Sequence, residues 1–356
     1  MSCRLPIVFS GTAAAAAFLV TLPLSAQTQP LAAKPAYTSK ARTFSVPRTP
    51  GGHPDFTGIW TNVTITPLER PKELAGKEFF TPQEAVAYQK QMVERRNKDQ
   101  RERGTQRDVA DAYNDFWWDS GTTVVKTLRT SIVVDPPDGR IPALTPQRRQ
   151  ELEERADAVR RRCEQPGCEP ENSGLLGPAD GPEDRPLMER CLAFGSGGPP
   201  MMPSAYNNNY QFVESAGYLD IDVEMAHDVR RIPLNGSAHL PAGIRQWMGD
   251  PRGHWEGDTL VVDTTNFTGK TTFRGSDKNL HLTERFSFLD PDTILYQFTV
   301  DDPTAFTRTW SGEIPMVRTK GPLFEYACNE GNIGLRDILT SARADERKAA
   351  GTPKQQ

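Results

Sequence analysis

The fold of this chain is decided by the stretch Gly253-His-Trp-Glu-Gly-Asp-Thr-Leu-Val-Val-Asp-Thr-Thr-Asn-Phe267, followed by Leu280-His-Leu-Thr-Glu-Arg-Phe-Ser-Phe-Leu-Asp-Pro-Asp-Thr-Ile-Leu-Tyr-Gln-Phe-Thr-Val300. Gly257-Asp258 is the Gly-X pair that a tight hairpin turn requires, and the residues Leu260–Val262 that follow it are apolar and largely β-branched. We therefore predict two successive antiparallel hairpins.

The alternation of apolar residues places the second hairpin in register. One face of its first strand carries Leu280, Leu282, Phe286 and Phe288, and one face of its second strand carries Ile294, Tyr296, Phe298 and Val300. Only a loop with an odd number of residues brings these two faces together, so we predict a three-residue loop over Pro291-Asp292-Thr293 with a bulge. A single sheet with one solvent-exposed face and a long unpaired edge should close into a barrel or stack on a second sheet. The sequence therefore predicts a mainly β protein, an antiparallel lipocalin-like barrel or barrel-shaped sandwich with a helical insertion.

The N-terminus predicts export. Arg4 precedes an apolar run from Thr12 to Leu24, and small residues end at Ala26, which together form the parts of a secretory signal peptide. An uncleaved membrane anchor is disfavoured because the run is shorter than about 18 residues and contains Pro23. We expect cleavage after Ala26 and a periplasmic or extracellular protein that has no membrane span after cleavage.

Four cysteines remain after Cys3 leaves with the signal peptide, and an even number in an oxidising compartment predicts disulfides with three alternative pairings. We predict Cys163–Cys168, which would close a Glu-Gln-Pro-Gly turn, and Cys191–Cys328, which would tie a loop to the last strand. Half of a zinc site is the alternative for the first pair, but no second pair of ligands lies near it in the sequence.

The 356 residues divide by composition and pattern into a series of segments. These are a signal peptide (1–26), a disordered arm (27–52), the first barrel strand (53–66), a helical insertion with a short hairpin (67–190), a β-meander (191–340) and a C-terminal tail (341–356). In the insertion, a capping box at Thr81 begins a helix over 81–102, and Thr145 caps a second helix over 146–162. The predicted short hairpin spans 130–142.

Several partners and cofactors are excluded by composition and motif. The formal net charge is −4 with no basic block, which argues against a nucleic-acid partner. Nucleotide fingerprints, phosphate-binding loops, nucleophile elbows and paired Cys-x-x-Cys motifs are absent from the sequence, so we predict no cofactor. A metal would need three of the scattered histidines to converge, which their spacing does not indicate, and we predict none.

The first candidate for chemistry is the run Glu224-Met-Ala-His227-Asp228-Val-Arg230. Ionisable residues this close together near a strand end can hold an acid or base with a shifted pKa, and His227 titrates near neutral pH. Alternatively, His227 only hydrogen-bonds a neighbouring strand. We predict His227 and Glu224 as catalytic candidates, with Asp228 and Arg230 as ligand-binding residues.

The second candidate is Glu284, which interrupts the apolar face of the second hairpin. A carboxylate there must be paired or carry a raised pKa, so it is either a general acid or one half of a buried ion pair with an Arg from another strand. His281 and Arg285 fall on the opposite face and are predicted ligand-binding residues. Trp255 could stack on a ligand or simply pack in the core. Asn208 could bind a ligand through its side-chain amide or stabilise a local turn.

Residues 164–203 are rich in Gly and Pro, including Gly195-Ser-Gly-Gly-Pro-Pro200. A long segment without a helical or strand pattern in an otherwise compact chain is either functional or a linker.

Two resemblances follow from these residues. Gly58-Ile-Trp60 resembles the Gly-x-Trp of lipocalins and related calycin barrels, in which the Trp plugs one barrel end beneath a basic residue of the last strand; here that residue would be Arg318 or Arg336. The chain as a whole resembles a family of exported bacterial proteins of unknown function, in which similar sequences have His in place of Asn329. That resemblance implies export and a common fold but no substrate, and the following motifs carry it: Pro54-Asp-Phe-Thr-Gly-Ile-Trp60, Pro67-Leu-Glu-Arg-Pro71, Val134-Asp-Pro-Pro-Asp-Gly-Arg-Ile-Pro142, Glu224-x-x-His227-Asp228, Arg252-Gly-His-Trp-Glu-Gly-Asp-Thr-Leu-Val-Val262, Glu284-Arg-Phe286 and Tyr326-Ala-Cys-Asn-Glu-Gly-Asn332.

Three functions are compatible with this sequence. The first is an extracytoplasmic protein that binds a small, partly apolar molecule in a β-barrel cavity, with Glu224, His227, Arg230 and Glu284 as the orienting polar groups. The second is a cofactor-independent acid–base enzyme, a lyase, isomerase or hydrolase, acting in the same cavity. The third is an envelope interaction protein without a pocket. A site with an acid and a base within hydrogen-bond reach would favour the enzyme.

Overall fold

The structure is a computed structural model that describes residues 44–97, 99, 104, 116, 118–169, 177–195 and 197–351, apart from the side chain of His227. The predicted signal peptide and residues 27–43 of the predicted arm lie outside this part. The strands are β1 (Gly58–Thr61), β2 (Val133–Asp135), β3 (Cys168–Glu169), β4 (Gly177–Pro178), β5 (Asn209–Ser215), β6 (Tyr218–Val223), β7 (Asp228–Pro233), β8 (Asp250–Glu256), β9 (Thr259–Thr265), β10 (His281–Asp290), β11 (Thr293–Asp301) and β12 (Trp310–Thr319).

The helices are α1 (Pro82–Arg96), α2 (Pro146–Arg162) and α3 (Ile333–Gly351), and short 3₁₀ turns lie at Lys72–Leu74, Pro182–Asp184 and Met225–His227. Among the described residues, no helix is both long and apolar enough to cross a membrane.

The main sheet is antiparallel and nearly closes into a barrel, as the sequence predicted. Its strand order is β7-β6-β5-β1-β12-β11-β10-β9-β8, and β2 pairs with β12 beside β1. Eight antiparallel steps separate β7 from β8, so these two terminal strands run in the same direction. No ladder joins them, but they are close together: a Cβ added at Gly253 of β8 would meet Ile232 of β7 and Leu234, which follows it. Strands β3 and β4 form a separate small sheet.

Both predicted hairpins are present. Glu256 pairs with Thr259 across the tight turn at Gly257-Asp258. In the second hairpin Phe286 lies opposite Tyr296, so the two apolar faces coincide as the parity argument predicted. The predicted three-residue loop is wrong in length. Asp290 pairs with Thr293, which leaves a two-residue turn, and the extra residue lies in an irregularity between Phe288 and Asp290 that preserves the parity.

One end of the barrel, which we call the closed end, is sealed by Trp60. Its indole Nε1 donates to the carbonyl of Phe56 over 2.8 Å, and the Arg318 guanidinium of β12 lies 4.1 Å from the ring centroid. Arg318 also donates from Nη1 to the carbonyl of Thr57 over 3.2 Å. The sequence left the basic residue open between Arg318 and Arg336. Arg318 occupies the position, whereas Arg336 lies on α3 and contacts Asp337.

The insertion and the C-terminus differ in part from the predictions. Helix α1 has the predicted capping box at Thr81 but ends at Arg96, and α2 has the predicted bounds. The hairpin predicted over 130–142 is wrong, because β2 adds to β12 and the chain beyond the turn forms no strand. The last strand to which Cys328 was predicted to belong is absent as well, since Cys328 lies outside every strand, and α3 crosses the boundary predicted at residue 340.

Both predicted disulfides are present, with Cα atoms 5.3 Å apart in Cys163–Cys168 and 5.7 Å apart in Cys191–Cys328. The first closes a turn directly after α2. The second joins the loop before β5 to the segment before α3, so it ties two parts of the chain that are distant in sequence.

Candidate ligand-binding site

A buried ion pair crosses the barrel interior. Arg230 of β7 and Glu284 of β10 both point inward, and their side chains are 1% and 0% exposed. The guanidinium donates from Nη1 to Oε1 over 3.0 Å and from Nη2 to Oε2 over 2.5 Å. This is the planar, two-point contact that arginine forms with carboxylates. The structure thus brings two of the predicted site residues together, in the ion-pair alternative that the sequence had left open for Glu284.

Tyr296 of β11 extends this pair into a network. Its hydroxyl donates to Oε1 of Glu284 over 2.8 Å and accepts the backbone N–H of Met201 over 3.0 Å. Burial, and then the charge of Glu284, raise the pKa of Tyr296 well above its ordinary value, so the phenol remains a neutral donor. Burial alone would lower the pKa of Arg230, but the attraction of Glu284 outweighs burial and raises it. The network therefore holds one positive and one negative charge.

Some polar atoms of the interior have no hydrogen-bond partner among the described residues. Arg230 donates through both Nη atoms, but its buried Nε–H has no acceptor. The same holds for Oδ1 of Asn62, whose Nδ2 donates to the carbonyl of Met201 over 3.3 Å and to the Tyr210 hydroxyl over 3.2 Å. Thr264 Oγ1 and Trp310 Nε1 are also buried without partners. Because buried donors and acceptors are normally paired in proteins, such atoms indicate where a ligand or water would bind.

The end of the barrel opposite Trp60 is covered by residues 193–195 and 197–202, which we call the cap segment. We call this end the capped end; the β6–β7 turn and the β9–β10 and β11–β12 connections also lie there. The cap segment reaches into the barrel through Met201, which is fully buried and bonds to Tyr296 and Asn62. Phe194 packs edge-on against Tyr326, at a centroid distance of 5.4 Å. Cys191, two residues before the segment, anchors it to the C-terminal part of the chain.

A cleft separates the cap segment from the β9–β10 connection. Its volume is about 30 Å³, and it is lined by Ala193, Phe194, Gly195, Gly198, Pro199, Trp247, Met248, Phe267, Thr271, Thr272, Phe273 and Leu280. Phe273 also stacks on Trp310 at a centroid distance of 5.9 Å. The wall of the cleft is therefore in contact with the tryptophan whose buried Nε1–H has no acceptor among the described residues. The lining is mostly aromatic and aliphatic, with two threonine hydroxyls, which is the composition of small-molecule sites.

Other predicted site residues near the capped end have structural contacts. Glu224 accepts from the Asn209 side chain over 2.9 Å and from the backbone N–H of Phe324 over 3.0 Å, which joins β5 to the C-terminal segment. Asn208 is buried and donates from Nδ2 to the carbonyl of Asp119 over 2.7 Å. Asp228 begins β7 and is partly buried. The side chain of His227 lies outside the described part of the structure.

The remaining predicted residues lie away from the ion pair. Trp255 is at the closed end, where it packs against the core and stacks on Phe56 and, at a centroid distance of 4.7 Å, on His53. Arg285 is on the outer face and pairs with Glu256 over 2.8 Å. The sequence predicted that Arg285 would face away from Glu284, and the alternating burial of β10 agrees with that.

His281 belongs to a cluster on the outer wall of the barrel that the sequence did not predict. Its Nε2 lies 2.5 Å from Oδ2 of Asp263, whose Oδ1 is 2.9 Å from Nε2 of His239; Nδ1 of His239 contacts Asp250 over 3.1 Å. Asp263 raises the pKa of His281. Burial acts to raise the pKa of Asp263, but the two histidines outweigh it and lower that pKa. In the part of the chain that is described, no group of His, Cys, Asp and Glu side chains could hold a metal ion.

Knowledge of strand register could have exposed part of this cluster, because Asp263 pairs with Thr283, two residues from His281 on the same outer face. His239 comes from the β7–β8 connection, whose path local pattern does not predict.

Comparison of the chain with protein-family models, curated proteins and solved structures finds no match. The resemblances drawn from sequence motifs therefore stay predictions, and the site has to be interpreted from its own geometry.

Proposed function

We propose that this protein is exported and binds a small, partly apolar molecule at the capped end of its barrel. The observation that carries the proposal is the aromatic cleft between the cap segment and the β9–β10 connection. Export is inferred from the N-terminal sequence, and the two disulfides agree with an oxidising compartment.

The barrel wall supports a site at this end more than one in the middle of the barrel. Inward-facing side chains such as Phe212, Phe286, Phe298 and Ile314 are almost fully buried and pack together in one core. A ligand in the middle of the barrel would have to displace them, at the cost of their mutual packing. At the capped end, a ligand has to displace only a short segment that is rich in Gly and Pro.

The size of the cleft makes a movement of the cap segment part of the proposal. A volume of 30 Å³ holds about two water molecules, whereas sites for drug-sized ligands span about 300–1,000 Å³. The cap segment is held to the interior by the Met201–Tyr296 and Met201–Asn62 hydrogen bonds, both of which a ligand group could replace. We expect the bound state to have the cap segment displaced outward around the ligand.

The contacts of Glu284 do not favour the acid–base enzyme. Arg230 engages both of its carboxylate oxygens, and Tyr296 donates to one of them as well. Both carboxylate oxygens of Glu284 are therefore occupied by donors of the protein itself, which leaves neither of them open to exchange a proton with a substrate.

Binding can be tested with the uncharged fluorescent probe N-phenyl-1-naphthylamine and a variant that adds bulk to the rim of the cleft. Gly195 lines the cleft, a Cβ built there meets no atom within 4 Å and its φ is not positive, so Gly195→Phe adds a ring beside the cleft without backbone strain. Gly243 also has open space and an ordinary φ, but it lies in the β7–β8 connection and does not line the cleft, so Gly243→Phe is the matched control.

We expect saturable binding to the wild type, weakened about tenfold or more by Gly195→Phe because the added ring restricts the access of the probe to the cleft, and unchanged in Gly243→Phe. The proposal fails if the wild type does not bind the probe saturably. It also fails if both variants bind as the wild type does.

A further inference from the structure

We infer that the molecule bound at the capped end is uncharged and carries a hydrogen-bond acceptor, such as a ketone, ester or amide oxygen, which receives the Nε–H of Arg230. This inference rests on the proposed function and specifies the chemistry of its ligand.

One nitrogen of the Arg230 guanidinium has no partner in the described part of the chain. Both Nη atoms bond to Glu284, whereas the Nε–H is buried without an acceptor among the described residues. Leaving a buried N–H of a charged group unpaired is unfavourable, so an acceptor atom placed there gains more than it would in water. A ligand that lacks an acceptor would leave this donor unpaired and is expected to bind more weakly.

The charges of Arg230 and Glu284 balance each other in a part of the barrel from which water is excluded. A ligand carboxylate beside them would add a second negative charge with only one cation to balance it, and its desolvation would not be compensated. A ligand cation would meet the same difficulty with the opposite sign. A neutral carbonyl oxygen accepts the Nε–H without disturbing this balance.

Tyr296 links the ion pair to the cap segment. The Tyr296 hydroxyl touches Glu284 on one side and the Met201 backbone of the cap segment on the other. A side chain added at Gly197 would meet Val223, two residues along β6 from Ile221, which is paired with Arg230. The cap segment is therefore one hydrogen-bonded residue away from the ion pair, and we expect its displacement to connect the cleft with Arg230.

The test compares acetophenone, benzoate and ethylbenzene as competitors of N-phenyl-1-naphthylamine at pH 7.5. All three have one aromatic ring, and they carry respectively a neutral acceptor, an anion and no acceptor. We expect acetophenone to bind about tenfold or more tighter than either of the others. Equal binding of acetophenone and ethylbenzene, or tightest binding of benzoate, would overturn the inference.

A second arm changes the charge balance itself. In Glu284→Gln the shape is nearly kept, but Arg230 loses its counter-charge, so the preference should move toward benzoate by about tenfold or more relative to acetophenone. Glu313→Gln is the matched control, because Glu313 is equally buried and pairs with Arg129 over 2.6 Å away from the cleft. Its ligand order should be that of the wild type.

The outcomes separate the two proposals. If the wild type binds no probe, the proposed function fails. If it binds the probe and the three competitors show no preference, the function stands and the neutral-acceptor inference fails. If Glu284→Gln does not fold, the order of the three affinities in the wild type decides the inference. If Glu284→Gln folds and its preference between acetophenone and benzoate is that of the wild type, the inference is overturned.

Discussion

Substituting Glu284 by Leu leaves Arg230 as a buried cation without a counter-charge, and we expect the free energy of unfolding to fall by on the order of 3–5 kcal/mol. The direction follows from the geometry. Both side chains are almost completely removed from water, and Glu284 accepts two hydrogen bonds from the guanidinium and one from Tyr296. None of these donors has another acceptor within the network, so the variant leaves them unpaired.

A double variant distinguishes the stability lost when one partner of the ion pair is removed from the stability that the whole pair contributes. Arg230→Met with Glu284→Leu replaces both charges by apolar groups of similar volume, and such replacements are often neutral or stabilising. The double variant should therefore recover most of the loss and lie within about 2 kcal/mol of the wild type. The remaining difference includes the Tyr296 hydroxyl, which keeps the Met201 N–H as a donor but has no acceptor for its own proton.

The measurement is urea-induced unfolding with the disulfides intact, followed by tryptophan fluorescence, for all four members of the cycle. Asp220→Leu serves as the surface control, since its partner Arg231 is 68% exposed and exposed pairs contribute about 1 kcal/mol or less. A loss below about 1 kcal/mol in Glu284→Leu, or a double variant as unstable as the single variant, would refute this account of the interior.

Three further changes test other parts of the fold. Replacing Cys191 and its partner by Ser opens a loop closed over 137 residues and should cost about 5 kcal/mol in thermal or urea unfolding, whereas the same change at Cys163, with a separation of 5, should cost about 2 kcal/mol. The pKa of His281 is raised above 6.5, so the stability that His281 contributes is present below pH 6.5 and is lost as the pH rises through the raised pKa. The pKa of Asp263 is lowered below 3.8, so the stability that Asp263 contributes is present above pH 3.8 and is lost as the pH falls through the lowered pKa. Stability measured between pH 3 and 9 should therefore be highest between these limits, and His281→Gln should flatten the decline on the alkaline side. Arg318→Met removes the cation from the Trp60 ring and should lower the free energy of unfolding by about 1 kcal/mol. The tryptophan fluorescence emission of the folded variant should shift as well.

The features that the sequence predicted are those set by neighbours along the chain. The parity of the second hairpin depends on residues 280–300 alone, and the sheet follows it with Phe286 opposite Tyr296. The capping box at Thr81 is complete within four residues, and α1 begins there. The pairing of four cysteines was a choice among three, and the turn between Cys163 and Cys168 was short enough to decide it.

The features that the sequence could not predict depend on residues that meet across the barrel. An isolated carboxylate in an apolar strand signals a buried partner, but the partner of Glu284 lies 54 residues earlier on a strand that is not its neighbour. Several arginines were equally plausible until the order of the strands was known. The hairpin predicted over 130–142 failed for the same reason, since the free side of β12 offered β2 a longer-range pairing.

The cap segment links the proposed site to the stability of the interior. Tyr296 bonds through one hydroxyl both to the backbone of Met201 and to Glu284, so displacement of the cap removes the donor that holds the phenol in place over the ion pair. A ligand acceptor that reaches Arg230 would enter when this contact is released, and it would offset part of the lost hydrogen bonding. Binding, cap movement and rearrangement of the network should therefore occur together, because no member of this chain of contacts can move without changing the next.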